Sequence, residues 1–257
     1  MPSSVITLDR ACDLARTGDI WVFRGSSGAD RAIRGLTNAP VNHVGMAVVL
    51  DDMPPMMWHA ELGRSLPDLW TGEHQRGVQL HDLRDAVLQW GHRYRQRPWL
   101  RQLEGPTGTE DAARELEDGA LRAIARLDGT PFPSTARLTG RWLHGRLLSP
   151  PWREHLEREP AALATAYCAE VVALTYEEMG LLPAAKRANW YDPGRFWSGD
   201  DLRLEPPFRL GGEIGVTIPP APGTDAPGIA APERAQSVAE RIRRAIPPWP
   251  RRRSRAR

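Results

Sequence analysis

The sequence predicts an α+β protein, and three observations lead to that fold class. Short apolar runs bounded by turn residues recur in the first hundred positions, as at 20–23 and 44–50, and predict β-strands. Longer stretches with apolar residues at helical spacing follow over 109–127 and 164–182. The chain has 257 residues, which is enough for one large domain with a substantial core.

Composition excludes several classes of protein. The chain is 41% hydrophobic and 26% charged, which argues against wholesale disorder. No apolar run approaches the roughly 18 residues that a membrane span needs, and residues 1–16 lack the apolar segment of a secretory signal. Two cysteines, Cys12 and Cys168, are too few for a disulfide framework or a four-cysteine zinc site. We therefore expect a cytoplasmic protein with at least one free thiol.

Charge is distributed unevenly along the chain. The formal charge is only +2, but residues 231–257 contain nine arginines and two glutamates, a net of +7 that leaves −5 for residues 1–230. Proline, alanine and glycine dominate 219–232 and predict a linker. We expect a catalytic domain over 1–218, then a linker and a basic, largely disordered tail over 219–257. Such a tail is either merely solvated or makes weak contact with an anionic membrane or nucleic acid.

The predicted strands lie mostly in the first third of the chain. A turn at Gly18-Asp19 precedes the strand at 20–23, and a glycine- and serine-rich break separates it from a short helical stripe at 29–36. The apolar runs 44–50 and 56–60 are joined by a short polar and proline-containing loop, which predicts a hairpin. A further strand is expected at 78–80 and a closing strand at 214–218.

Two long helices are predicted in the second half. Acidic residues open the stretch over 109–127, and Gly129 lies where a C-terminal cap belongs. The second helix covers 164–182 and ends at Gly180 and Pro183. Prolines divide the residues between the two helices, and we expect a helical insertion over about 133–166.

Cys168 is the first candidate for chemistry, because it follows Tyr167 and lies near the start of the second helix. Backbone N–H groups at a helix N-terminus lower the pKa of a thiol, and the same groups can bind the oxyanion of an acyl-transfer intermediate. The alternative is a small buried hydrophobe with no chemical role.

Three polar residues on the predicted hairpin are candidates to assist such a nucleophile. His43 lies at the entry of a buried strand, where a general base would be held rigidly; a strand-end hydrogen bond is the alternative role. His59 and Glu61 share one face of the next strand, and either could orient the His43 ring. Otherwise His59 is a surface residue and Glu61 a solvated strand end.

Metal and cofactor sites are not predicted. The chain has no His-x-x-x-His or Cys-x-x-Cys spacing, and its glycine-rich segment at 25–28 lacks the Lys-Ser/Thr of a phosphate-binding loop. The remaining histidines fall in segments that the sequence predicts to be polar loop or helix: His74, His81, His92, His144 and His155.

Taken together, the chain resembles the circularly permuted branch of the NlpC-type papain-like cysteine peptidase superfamily, the YaeF/YiiX-type amidases. The cysteine lies 125 positions after the histidine strand, and this order is diagnostic of the permuted branch. The resemblance covers roughly residues 15–100 and 118–218. It is carried by Gly18-Asp19-Ile20-Trp21-Val22-Phe23, Asn42-His43-Val44-Gly45-Met46, Trp58-His59-Ala60, Gly77-Val78 and Tyr167-Cys168-Ala169-Glu170-Val171-Val172.

The resemblance implies a permuted papain-like fold, with an antiparallel sheet or half-barrel packed against helices and the nucleophile at a helix N-terminus. Cys168 would match the nucleophile, His43 the general base and Tyr167 a substrate-binding residue. His59 matches the third polar position, where many permuted members carry a glutamate, so Glu61 is an alternative third member. The segment 129–133 departs from the family pattern, because Phe-Pro stands where Tyr-Asp is usual.

The expected activity is hydrolysis of an amide, ester or thioester through an acyl-Cys168 intermediate. Two alternatives remain at this point. One is an acyltransferase of the lecithin:retinol acyltransferase-like type, and the other is a non-catalytic ligand-binding protein on the same fold. The expected substrate is a small-molecule, lipid or peptide acyl compound, with no cofactor.

Overall fold

A computed structural model describes residues 4–25, 40–51, 53–61, 63, 65–106, 110–131, 167–199 and 202–221. Three predicted segments lie outside the described residues: the helical stripe at 29–36, the insertion at 133–166 and the tail beyond 221.

The protein is α+β, as predicted, with one large and mostly antiparallel open sheet. Among the described residues, seven strands form it in the order β1-β9-β6-β2-β3-β4-β5, in which the β1–β9 pair is parallel and the other pairs are antiparallel. Strands β7 and β8 form a separate antiparallel pair. The elements are β1 (Val5–Thr7), α1 (Leu8–Leu14), β2 (Ile20–Arg24), β3 (His43–Val48), β4 (Met56–Glu61), β5 (Gly77–Asp82), α2 (Leu83–His92), β6 (Arg97–Arg101), β7 (Leu103–Glu104), α3 (Glu110–Leu127), α4 (Cys168–Glu178), β8 (Arg209–Leu210) and β9 (Ile214–Thr217).

Helices cover both faces of the sheet, so its central strands are buried on both sides. Helices α3 and α4 pack together on one face, where α4 lies against β3 and β4. Helices α1 and α2 cover the other face, where α2 lies against β4, β5 and β6. All six residues of β3 and of β4 are buried, which explains why both strands contain continuous apolar runs.

Most predicted elements are confirmed, with shifts at their ends. Strands β3 and β4 form the predicted antiparallel hairpin, with Met46 opposite Trp58. The helix predicted over 109–127 is α3, and Gly129 follows it with a φ of +73°. The helix predicted from residue 164 begins at Cys168 and ends at Glu178, because Tyr167 has extended backbone angles.

Two features of the fold differ from the sequence interpretation. Helices α1 and α2 and strands β1, β6, β7 and β8 were not predicted, because short segments give weak periodicity. Strand β9 does not close an edge, since it lies between β1 and β6 inside the sheet.

In the described part of the chain, no helix has the length and apolar character that crossing a membrane requires.

Candidate functional site

Three histidine rings form a chain of hydrogen bonds on the α2 side of the sheet. His43 Nε2 lies 3.1 Å from His59 Nδ1, and His59 Nε2 lies 3.0 Å from His81 Nδ1. His81 Nε2 lies 3.0 Å from Gln79 Oε1, where the chain ends. His59 is fully buried and the other two rings are at most 4% exposed. Every hydrogen bond of this chain is therefore shielded from solvent.

Strand geometry explains why these side chains meet. Side chains alternate between the two faces of a strand, so His59 and Glu61 share a face of β4, as predicted. In the antiparallel register, His59 lies opposite Gln79, which places His81 diagonally across on the same face of β5. Diagonal neighbours of this kind are within reach of long or aromatic side chains.

The chain of hydrogen bonds has a direction, which the amide oxygen of Gln79 determines. This oxygen only accepts, so His81 carries its proton on Nε2 and accepts at Nδ1 from His59. A neutral His59 then accepts at Nδ1 from His43 Nε2–H. A neutral His43 therefore carries a lone pair on Nδ1, the ring nitrogen that a general base needs free.

Burial keeps the three rings neutral, as this proton order requires. Desolvation lowers the pKa of His43 to about 3 and that of His81 to about 3. The pKa of His59 is lowered well below its ordinary value, first by burial and then by the neighbouring His81 and His43 rings. Neutral rings are what the proton order set by the Gln79 oxygen requires.

Two aromatic residues of the α2 region hold this network in place. The Trp90 ring stacks on the His43 ring, with ring centres 3.7 Å apart and planes inclined by 12°. The Tyr94 hydroxyl donates a 2.7 Å hydrogen bond to Glu61 Oε1. Burial raises the pKa of Glu61, whose Oε2 lies 3.7 Å from His81 Nδ1 and 4.0 Å from His59 Nε2. Glu61 thus adjoins His59 and His81 in the network.

Cys168 lies at the first position of α4 and belongs to the core on the opposite face of the sheet. The paired register of β3 and β4 runs from Met46 to Val48, so the beginning of β3 lies beyond it. There the backbone N–H of Val44 is close enough to Cys168 to favour the thiolate and lower the thiol pKa. Val44, the residue that directly follows His43, lies in the same core as Cys168, whereas the His43 ring packs on the α2 side of β3 against Phe23 and Trp90.

The predicted lowering of the Cys168 pKa is wrong for this buried thiol. Burial raises its pKa to about 12, although the N–H groups of Val44 and of the start of α4 oppose the shift. The side chain is only 4% exposed. Desolvation of the thiolate is therefore a larger effect here than the helix N-terminus, and the resting residue is a neutral thiol.

The alkylation of Cys168 by iodoacetamide tests this protonation state. Since the thiolate fraction rises tenfold per pH unit below the pKa, we expect the rate to rise about tenfold per unit from pH 7 to pH 10. Peptide mass spectrometry separates modification of Cys168 from that of Cys12, whose pKa burial also raises to about 12. A rate that levels off below pH 8 would show an ionised thiol and contradict the neutral state.

The remaining candidates occupy different settings. Tyr167 is buried, and its hydroxyl donates to the carbonyl of Tyr191. Cys12 lies in α1 and is a free cysteine, like Cys168. The prediction that His81 lies in a polar loop is wrong, since it is a buried residue of β5. The sequence interpretation thus missed four residues of the network: Gln79, His81, Trp90 and Tyr94.

A signal for two of them is present in the sequence. The apolar residues Val78 and Leu80 predict a strand, and alternation then places Gln79 and His81 on its opposite face. Trp90 and Tyr94 give no comparable signal, because their contacts depend on how α2 packs on the sheet.

Comparison with known proteins gives structural likeness alone, and the likeness to YiiX is weak. No family model matches the chain, and no curated protein matches it significantly. The crystal structure of the metalloprotein YiiX from Escherichia coli O157:H7 is similar with a TM-score of 0.38 and 19% sequence identity over 64% of this chain. The match covers 66% of YiiX, just under two thirds of its length. The relationship to NlpC-type enzymes therefore stays a hypothesis.

Proposed function

We propose that the protein is a cysteine hydrolase that cleaves an amide, ester or thioester bond on a permuted papain-like site. Cys168 is the nucleophile, His43 is the general base and His59 orients His43. The single observation that carries this proposal is the directed hydrogen-bond chain from Gln79 to His43. This chain leaves a lone pair on His43 Nδ1, and the next residue, Val44, shares the core on the other face of β3 with Cys168. Acylation therefore requires the His43 ring and the thiol to meet at the beginning of β3.

Acylation begins from the neutral pair of thiol and imidazole. His43 Nδ1 takes the proton of Cys168 as the sulfur attacks the substrate carbonyl, and a tetrahedral oxyanion forms. The N–H groups of Cys168 and Ala169 at the start of α4 are suited to stabilise this negative charge. His43 then returns the proton to the leaving group, the carbon–heteroatom bond breaks and a thioester to Cys168 remains.

Deacylation uses the same residues in the same roles. Water attacks the thioester carbonyl while His43 Nδ1 takes one of its protons. The tetrahedral intermediate collapses, the carbon–sulfur bond breaks and the proton passes to the departing sulfur. The products are a carboxylic acid and the resting thiol, so the cycle needs no cofactor. With an alcohol or amine in place of water, the same steps would make the protein an acyltransferase.

His59 is the better candidate for the third member of the site than Glu61. Its Nδ1 accepts from His43 Nε2 at 3.1 Å, and this bond determines which His43 nitrogen is free. The carboxylate of Glu61 lies 4.0 Å from the far nitrogen of His59, so it acts on His43 only through that ring. We therefore assign His59 as the orienting residue.

A second candidate function is non-catalytic ligand binding on the same fold. The observation that favours it is the burial of Cys168, which raises the thiol pKa to about 12. A binding protein would use the cysteine only as a core residue and would form no acyl-enzyme.

Trapping an acyl adduct distinguishes these two functions. The purified chain is mixed with p-nitrophenyl acetate and p-nitrophenyl hexanoate, and intact mass is recorded at short times. We expect one acyl group per chain, located on the peptide that contains Cys168. Cys12→Ala should acylate normally and Cys168→Ala should not. If neither ester acylates Cys168, or if Cys168→Ala acylates equally, the hydrolase proposal is wrong.

A further inference from the structure

Two rings of the histidine chain, His59 and His81, form a cluster with the carboxylate of Glu61. His59 and Glu61 on β4 and His81 on β5 point toward one another, and each is at most 2% exposed. Three atoms face a common point: His59 Nε2, His81 Nδ1 and Glu61 Oε2. The two nitrogens lie 3.0 Å apart. Glu61 Oε2 lies 4.0 Å from His59 Nε2 and 3.7 Å from His81 Nδ1.

We propose that His59, Glu61 and His81 bind a divalent transition-metal ion, with Zn²⁺ as the best fit. The three separations define a point that is about 2.1 Å from all three atoms. Bonds from Zn²⁺ to histidine nitrogen and to carboxylate oxygen are about 2.0–2.2 Å long. The side chains are therefore spaced for a metal ion with little rearrangement.

The second oxygen of Glu61 points independently to a cation. Among the described residues, Glu61 Oε2 is buried and has no hydrogen-bond partner. A buried carboxylate oxygen without a partner is costly, and a bound cation is one of the few groups that compensate it. The other oxygen accepts from the Tyr94 hydroxyl, which holds the carboxylate in this orientation.

Each proposed ligand also makes a hydrogen bond to a residue that would not touch the metal, as ligands in metal sites usually do. Metal-binding histidines usually donate their second ring N–H to an acceptor, which fixes the tautomer. His81 binds through Nδ1 and donates from Nε2 to Gln79 Oε1. His59 binds through Nε2, and its Nδ1 faces His43 Nε2. Tyr94 serves the same purpose for Glu61.

The donor set selects the class of metal. Two imidazoles and one carboxylate favour Zn²⁺ and similar first-row ions, whereas Mg²⁺ and Ca²⁺ prefer oxygen ligands. The sequence did not predict this site, because its ligands come from two strands. Their positions, 59, 61 and 81, match no common metal motif.

A bound ion would change the proton on His43, and this consequence rests on the proposed function. When a metal occupies His59 Nε2, a neutral His59 carries its proton on Nδ1 and donates it to His43 Nε2. A neutral His43 then carries its proton on Nδ1, so the lone pair proposed to accept the Cys168 proton is lost. The metal would therefore inhibit acylation without touching Cys168.

Co²⁺ binding tests the metal site independently of any activity. The full chain is titrated with Co²⁺, its visible absorption is recorded, and metal content is measured after dialysis. We expect one Co²⁺ per chain, displaced by Zn²⁺, with the same spectrum in Cys168→Ala because the thiol is not a ligand. His81→Ala and Glu61→Gln should weaken binding by at least about 100-fold.

The controls separate loss of a ligand from loss of the fold. Glu61→Gln keeps an acceptor for Tyr94, and circular dichroism checks that each variant is folded. His92→Ala changes a histidine whose ring bonds the Pro219 carbonyl, and it should bind Co²⁺ normally. Failure of the wild-type chain to bind Co²⁺, or equal binding by folded His81→Ala and Glu61→Gln, would overturn the site.

The regulatory consequence has its own measurement. Acylation of Cys168 by p-nitrophenyl acetate is followed with and without saturating Zn²⁺. We expect at least a tenfold slower rate with Zn²⁺ in the wild type and no effect in His81→Ala. An equal rate with bound Zn²⁺ would refute the link to His43, whereas absence of acylation without metal would instead refute the proposed hydrolase.

Discussion

Replacing His43 with alanine is expected to slow acylation of Cys168 by about 100- to 10,000-fold, because a positioned general base contributes that much to proton transfer. The resting thiol is neutral, so no preformed thiolate would compensate for the missing base. The rate is measured as the burst of p-nitrophenol in stopped-flow experiments. Added imidazole should restore part of the rate, since it supplies a base to the space that the ring leaves.

Two variants keep this result interpretable. His43→Gln retains a planar group beside Trp90 and should slow acylation to a similar extent while keeping more stability. His92→Ala removes a histidine of α2 and should acylate at the wild-type rate. A folded His43→Gln protein with an unchanged burst rate would remove His43 from the mechanism.

Replacing Gly45 with alanine is expected to destabilise the protein by about 2–3 kcal/mol, which is typical of overpacking a core. A Cβ atom at this position would lie 2.4 Å from Met57 Sδ and 3.2 Å from His59 Cβ. Met57 is fully buried, so it has little room to move. Urea unfolding measures the change in free energy, and displacement of His59 should also slow acylation.

Gly212→Ala provides the matched control for Gly45→Ala. A Cβ atom at Gly212 would meet no other atom within 4 Å, so the unfolding free energy should change by less than about 0.5 kcal/mol. If Gly45→Ala is as stable as Gly212→Ala, Met57 and His59 do not pack closely against Gly45. The two variants together therefore test the geometry that positions His59.

The hairpin and its polar residues could be predicted from the sequence. Continuous apolar runs separated by a short loop are sufficient to predict β3 and β4, and alternation places His59 and Glu61 on one face. The position of Cys168 at a helix N-terminus was also predicted correctly. These features depend on local periodicity and turn chemistry, which nearby residues determine.

The partners of those residues could not be predicted with the same reasoning. His81 reaches His59 because of the register between β4 and β5, and Trp90 reaches His43 because α2 packs over the sheet. The raised pKa of Cys168 likewise depends on how much water the surrounding core excludes. Each of these properties depends on contacts between parts of the chain that are distant in sequence.

By itself, the sequence determined the α+β class, the hairpin, a helix that carries the cysteine near its start and the candidates His43, His59 and Cys168. Only the tertiary structure decided that three histidines share one directed proton order ending at Gln79, and that Glu61 faces two of them. The physical reason is that periodicity reports which face a side chain occupies, whereas strand register and helix packing decide which other side chain it meets. The proposed chemistry depends on those side-chain contacts.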